Sequence, residues 1–245
     1  MRGRVHCWDG GSLWIGEADG SAQLHEHHAV QISLSFSGTI RFKTRQHDWR
    51  SFAAAFVPPH LPHAFEGAAQ FTAQVFIEPE TLEGRALLGR FRNDAITELP
   101  SDDIALHAKP LRAVELREAH ASDLERAARQ LIDGLAGAHR PVVVDARIER
   151  MIRWLWQSDR PVSLGEGAAK VALSPGRFRH LFVEQTGQSF RSYQLWVRLQ
   201  RAIEVLSKSA AATDAAHAAG FSDAAHLART FRKMMGIAPT SVKLD

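Results

Sequence analysis

The sequence predicts an α+β chain of two domains, a sheet-rich N-terminal half and an all-helical C-terminal half. Three observations carry this. Apolar and polar residues alternate in short runs up to about residue 78. From Asp145 onward apolar residues recur at helical spacing, and the same region holds an imperfect internal repeat. A length of 245 residues accommodates two domains, and 45% hydrophobic residues mark a globular chain.

The strands come first. Val30, Ile32, Leu34 and Phe36 fall on one face of an alternating run that begins at Ala29 and ends at the Ser37-Gly38 turn. Residues 39–43 alternate again, and residues 51–57 and 70–77 read as further strands. Pro58-Pro59 and Pro62 punctuate the loop between the last two. Short strands so closely spaced predict a sandwich or small barrel over residues 1–80.

Residues 81–144 read as a helical segment and linker. A short helix is expected over 81–91, irregular chain over 93–110, and a clear helix over 122–135. Ser122 is the expected N-cap with Glu125 at the capping-box position, and Leu124, Ala127, Ala128, Leu131 and Leu135 form the stripe. Residues 138–144 read as the linker. Residues 145–245 then read as helices over 145–157, 163–171, Ser174 to Gly187, Phe190–Leu206, 215–219 and 222–235. Ser174-Pro175 is the favoured N-cap and N1 pair, and Gly187 and Gly236 stand where helices stop.

In the repeat, Ala168-x3-Ala172-Leu173-Ser174 with Phe178, Phe182 and Gly187 matches Ala216-x3-Gly220-Phe221-Ser222 with Leu227, Phe231 and Gly236. Each copy is a short helix, a tight turn and a second helix with apolar residues four apart. That is a helix-turn-helix, made twice. Charge agrees: residues 145–245 carry a net +6 and residues 1–144 a net −3, and 10 of the 13 histidines lie in the acidic half. A basic half fits a polyanionic partner.

Ala216, Gly220-Phe221, Phe231, Arg232-Lys233, Gly236 and Pro239, with Arg198-x3-Ala202 and Leu206 upstream, resemble the signature of the AraC/XylS family of transcription regulators. The resemblance covers about residues 145–243. The family has an aromatic pair where this chain has His226-Leu227, and an aromatic and Arg where it has Val242-Lys243. The resemblance implies two recognition helices in successive major grooves of promoter DNA. The outward positions of the first are Gly176, Arg177, Arg179 and His180; those of the second are Ala224, Ala225, His226, Ala228 and Arg229. Of these, Arg177, Arg179 and Arg229 suit guanine edges or phosphates, and alanines suit thymine methyl groups. RNA polymerase is a further partner if the bound protein activates. The resemblance also implies a homodimer held by the 122–135 helix.

Upstream, Gly20, His25-x-His27, Gln31 and Gly38, followed by Pro58-x-His60-x2-His63, resemble the two motifs of cupins, which are small β-jelly-roll barrels. The cupin ligand positions carried across are His25, His27, Gln31 and His63, with Gln31 in place of the usual Glu. Three readings stand: a small organic effector or its carboxylate held by these histidines, a divalent metal (zinc, nickel, copper or iron) at His25, His27 and His63, alone or as anchor for an effector, or a structural set at the barrel mouth. His28, His47 and His60 read as rim or loop residues, and Trp8, Trp14 and Trp49 as packing or pocket walls.

The expected function is therefore an effector-responsive, sequence-specific DNA-binding regulator and not an enzyme. The alternative is a cupin-type metal-dependent enzyme with an appended helical domain; Gln31 and the lack of another acid–base cluster count against it. No apolar run approaches the roughly 20 residues of a membrane span. The first ten residues are no signal peptide, and the single Cys7 suits a reducing cytoplasm.

Overall fold

The structure is a computed structural model. It describes all residues except 1, 19, 92–93, 114–119, 209–210, 242 and 245. The strands are β1 (Arg2–Trp8), β2 (Gly11–Ala18), β3 (Ser21–His25), β4 (Val30–Ser35), β5 (Ile40–Thr44), β6 (Arg50–Phe52), β7 (Ala54–Val57), β8 (His63–Glu66) and β9 (Gln70–Ile77). Helix α1 (Leu82–Arg90), strand β10 (Thr97–Glu98) and helices α2 (Ser101–His107), α3 (Lys109–Ala113) and α4 (Ala121–Ala136) follow. Helices α5 (Ala146–Gln157), α6 (Leu164–Lys170), α7 (Pro175–Thr186), α8 (Phe190–Leu206), α9 (Ala212–Ala218) and α10 (Ala224–Met235) make the C-terminal half. A short β11 (Lys243–Leu244) returns to pair with β1.

The expected barrel is not closed. Two open sheets form instead, one ordered β10-β7-β4-β9-β2-β1-β11 and the other β3-β8-β5-β6. The alternation in β4 and β9 explains the layering. Val30, Ile32, Leu34, Ala73, Val75 and Ile77 face a core shared with α1 and α4, including Leu87, Leu124, Leu131 and Leu135. The other face of the same strands carries Gln31, Ser33, Thr72 and Gln74, and these are buried too. A strand whose polar face is also buried is unusual, because each polar group there must find a partner.

Several local expectations are corrected. The 51–57 strand breaks at Ala53 into β6 and β7. Part of the segment read as irregular, 93–110, folds into β10, α2 and the start of α3; Asn93 lies outside the described residues. Helix α4 starts one residue before Ser122, with His120 at the N-cap and no side-chain cap bond; Glu125 pairs with Arg129 at 2.9 Å instead. Its stripe lies in the chain's own core, with Leu124 and Leu131 buried, so it is not a free face for a second copy. Helix α9 starts at Ala212, ahead of the expected 215, and α10 starts at Ala224 behind Asp223.

In the C-terminal half the local signals hold. Ser163 and Glu166 form a reciprocal capping box, and Ser174 caps α7 with Pro175 at its start. Arg201 of α8 donates to the carbonyls of Leu155, Trp156 and Ser158, satisfying the end of α5. Phe178, Phe182, Phe190 and Tyr193 pack edge to face and join the first helix-turn-helix to α8. Trp196, Leu199, Ile203, Leu227 and Phe231 do the same for the second, and that cluster continues into Trp14 and Phe76 of the sheet.

Candidate functional site

His25 ends β3 directly opposite His63 of β8, so the pairing register sets both rings side by side. His27 lies beyond the strand end rather than on the strand with His25, and its loop is held by the His60 N–H donating to the His27 carbonyl. The three rings still converge, with centroids 4.4 Å (His25–His63), 5.0 Å (His27–His63) and 5.6 Å (His25–His27) apart.

A backbone carbonyl can only accept. Nδ1 of His25, His27 and His63 lies 2.7, 2.9 and 2.8 Å from the carbonyls of Gln23, Ala29 and Leu61. Each Nδ1 therefore carries the proton and donates. Burial disfavours the charged form and lowers all three pKa values, His27 to about 3, and the neighbouring rings add to this at His27 and His63. Three neutral imidazoles thus turn bare Nε2 atoms inward, and that of His63 is buried with no partner. Carbonyls that fix the tautomer of an imidazole are the usual outer partners of metal-binding histidines.

Gln31 joins the group. Its amide oxygen Oε1 lies 2.7 Å from His27 Nε2. Gln31 also bonds Ser33 and Gln74, at 2.8 and 2.9 Å. Beside them is a cavity of about 170 Å3 whose walls include Trp14, Phe65, Phe76, His25, Gln31 and Gln74. Met235 and Ile237, flanking the end of α10, close it. No Lys, Arg, Asp or Glu lines it among the described residues. The end of α10 is fastened there: Gln23 N–H donates to the Gly236 carbonyl at 2.9 Å, and a Cβ on Gly236 would stand 2.5 Å from His25 Nδ1.

The outward residues of the helical half are placed as expected on α7: Gly176, Arg177, Arg179 and His180 are exposed. On α10, Ala225 and Arg229 are exposed, while Ala224, His226 and Ala228 are half-buried. His226 is drawn into the turn, its Nδ1 3.2 Å from Ser222 Oγ and its ring against Phe221. Val242 lies outside the described residues.

Sequence reasoning missed a second polar cluster. His28, read as a rim residue, is buried against Tyr193 and Trp196 of α8. Its Nε2 lies 2.8 Å from Glu80, and both oxygens of Glu78 accept from Trp196 Nε1 at 2.9 and 3.0 Å. Burial pushes the Glu78 carboxyl up to about 8. His60 is 3.0 Å from the Thr186 carbonyl at the end of α7. The signal was weak: Glu78-Pro79-Glu80 looks like an ordinary loop after a strand.

A strand-rich half with a cavity at its junction with the second of two helix-turn-helix units, which share helix α8, is the arrangement of a DNA-binding regulator. Known proteins agree. A family profile described as a helix-turn-helix domain matches residues 168–244. The chain is 25% identical over 243 residues to the HTH-type transcriptional regulator NimR of Escherichia coli (strain K12), covering 93% of this chain and 84% of the relative. Its fold is that of ToxT from Vibrio cholerae. An apo ToxT variant of strain SCE256 superposes with TM-score 0.68 at 9% identity, over 97% of this chain and 98% of that one. ToxT of V. cholerae O395 bound to (E)-4-(8-methylnaphthalen-1-yl)but-3-enoic acid gives TM-score 0.62 at 10% identity, over 95% and 97%. A ToxT structure of strain SCE256 with a bound unsaturated fatty acid gives 0.60 at 9%, over 94% and 93%. These matches support an AraC-type DNA-binding transcription regulator.

Proposed function

We propose that the chain regulates transcription in response to a small uncharged molecule bound in the cavity between the two sheets and the end of α10. The observation that carries this reading is the shared wall: His25 and Gln31 of the sensor face the same space as Met235 and Ile237 of the second helix-turn-helix. Occupancy therefore acts on both domains at once, which a population shift requires. The cavity of about 170 Å3 is close to the roughly 150 Å3 that holds benzene in an engineered apolar site. Its rings and amides suit a flat body with one or two hydrogen-bonding groups. With no cationic side chain in the wall among the described residues, a bare carboxylate would be poorly compensated. ToxT structures of this fold hold bound acids, and the wall of this cavity suits a different ligand.

The three bare Nε2 atoms favour a second reading alongside the first. His25, His27 and His63 fit a divalent metal ion, held by neutral imidazoles whose tautomers are already fixed. Such an ion would supply a positive charge at the inner wall for a polar group of the effector.

On DNA, Arg177 and Arg179 of α7 and Arg229 of α10 are the base- and phosphate-reading side chains, with Gly176, His180, Ala224 and Ala225 close to the groove floor. His226 buttresses the turn. The test is salt-dependent binding to the promoter fragment beside the chain's own gene, with scrambled DNA as control. Arg179→Ala and Arg229→Ala should each cost about 1–3 kcal/mol on the specific site and far less on scrambled DNA. Binding of the wild type no tighter than to scrambled DNA, with and without screened neutral ligands, would sink the proposal.

A further inference from the structure

We propose that His28, Glu78 and Glu80 form a second site, for a divalent ion of the zinc class, at the seam between the sensor and α8. One ligand atom from each lies within 4.8 Å of the others. Imidazole and carboxylate ligands are within zinc's ordinary range. The side chains of His28 and Glu80 are 1% and 7% exposed, and Glu78 is buried. Glu80 Oε2 is buried with no partner, although its other oxygen lies against His28. An orphaned carboxylate oxygen in a dry seam has an unmet acceptor that an ion would satisfy. An approach exists: a cavity of about 290 Å3 borders Glu78 and Glu80, with Asp9, Glu149 and Arg153 on its rim, so carboxylates outnumber the cation. Glu78 need not release Trp196, since a carboxylate oxygen has lone pairs for both.

Occupancy has a consequence for the DNA-binding half. His60 Nε2 lies 3.0 Å from the Thr186 carbonyl and so carries its proton, which also faces bare His28 Nδ1 at 3.1 Å. His28 Nε2 then holds the proton donated to Glu80. An ion on His28 Nε2 displaces that proton, and the neutral ring carries its proton on Nδ1 instead. His60 Nε2 must now accept from it, its own proton moving to Nδ1 through solvent. A bare His60 Nε2 then confronts the Thr186 carbonyl, and the bond at the end of α7 is lost. The ion and the His60–Thr186 hydrogen bond exclude one another, so occupancy removes one tie between the end of α7 and the strand-rich half.

The test is titration of the full chain with zinc chloride against a chelating dye, in a His25→Ala, His63→Ala background that disables the three-histidine site. One equivalent should remain bound. Adding Glu80→Gln, which keeps a hydrogen-bonding partner for His28, should weaken it by roughly a hundredfold or more, beyond the 10–100-fold of an outer-shell change. In the wild-type chain zinc should also speed amide exchange at the last turn of α7. Loss of all zinc binding in the two-histidine background, or unchanged affinity with Glu80→Gln, overturns the site. If Glu80→Gln loses its helical circular dichroism, Glu78→Gln makes the same test. The outcome is independent of DNA binding and of the cavity ligand.

Discussion

Ala172 holds a left-handed backbone conformation, φ 54°, in the turn between α6 and α7; its counterpart in the second repeat, Gly220, sits at φ 77°. A side chain there costs roughly 1–2 kcal/mol, and a glycine would return about 0.5–1 of this in unfolded-state entropy. Ala172→Gly should therefore raise stability by about 0.5 kcal/mol, seen as a higher thermal midpoint; an unchanged or lower midpoint would show the turn to be unstrained. The small residue was legible from the repeat, while the strain was not, because sequence spacing carries no dihedral. Gln31 is a comparable case. Its place in the motif was legible, but its partners Ser33 and Gln74 come from the same strand and its neighbour, and only the burial of the polar face of β4 and β9 reveals them.

Among the elements, α5 begins the helical half, and its first turn is closed by Asp145, whose carboxylate accepts from the Arg147 N–H at 2.9 Å. The Arg147 side chain also binds Asp145 and, with that backbone N–H, holds the carboxyl down to about 2. A carboxyl depressed in the folded state contributes stability that is present above its unfolded value and fades as pH falls towards the folded one. Asp145→Ala should cost about 1 kcal/mol at pH 7, the usual worth of an N-cap. Urea unfolding at several pH values should show that difference constant down to about pH 5 and shrinking below about pH 4. A difference that persists undiminished at pH 3 would assign the loss to helix propensity instead. Helices α5 to α8 were legible because their caps, apolar stripes and stop glycines agree. The 93–110 segment was not: α2 has no side-chain cap and no buried residue of its own, so packing against α4 rather than local sequence makes it a helix. The barrel reading failed for a related reason, since alternation fixes which residues face the same way but not whether the outer strands meet.

Across the whole molecule the internal repeat acquires a meaning that neither half shows alone. The second helices of the two helix-turn-helix units end in equivalent left-handed glycines, Gly187 at φ 72° and Gly236 at φ 71°. Each rests on a sensor histidine: a Cβ on Gly187 would stand 2.7 Å from His60, and one on Gly236 would stand 2.5 Å from His25. The strand-rich half thus touches both helix-turn-helix units at matching points, one beside the cavity and one beside the His28 cluster. The Gly236 contact is the closer to the proposed effector, with the Gln23 N–H bonded to its carbonyl. A side chain at this position meets His25 and the Gln23 carbonyl, which are hydrogen-bonded to each other at 2.7 Å, His25 being paired with His63, so the two cannot both retreat freely. Gly236→Ala should therefore push α10 away from β3 while Leu227 and Phe231 keep the helix-turn-helix packed on α8. The left-handed position adds about 1–2 kcal/mol of strain, which lowers stability without unfolding the domain. Promoter binding by this variant should remain within a few-fold of its unliganded or liganded wild-type value, whichever is the tighter, and should no longer change when a ligand is added. A variant that folds, binds DNA and still responds fully to ligand would show that the signal reaches the DNA by another route than the end of α10.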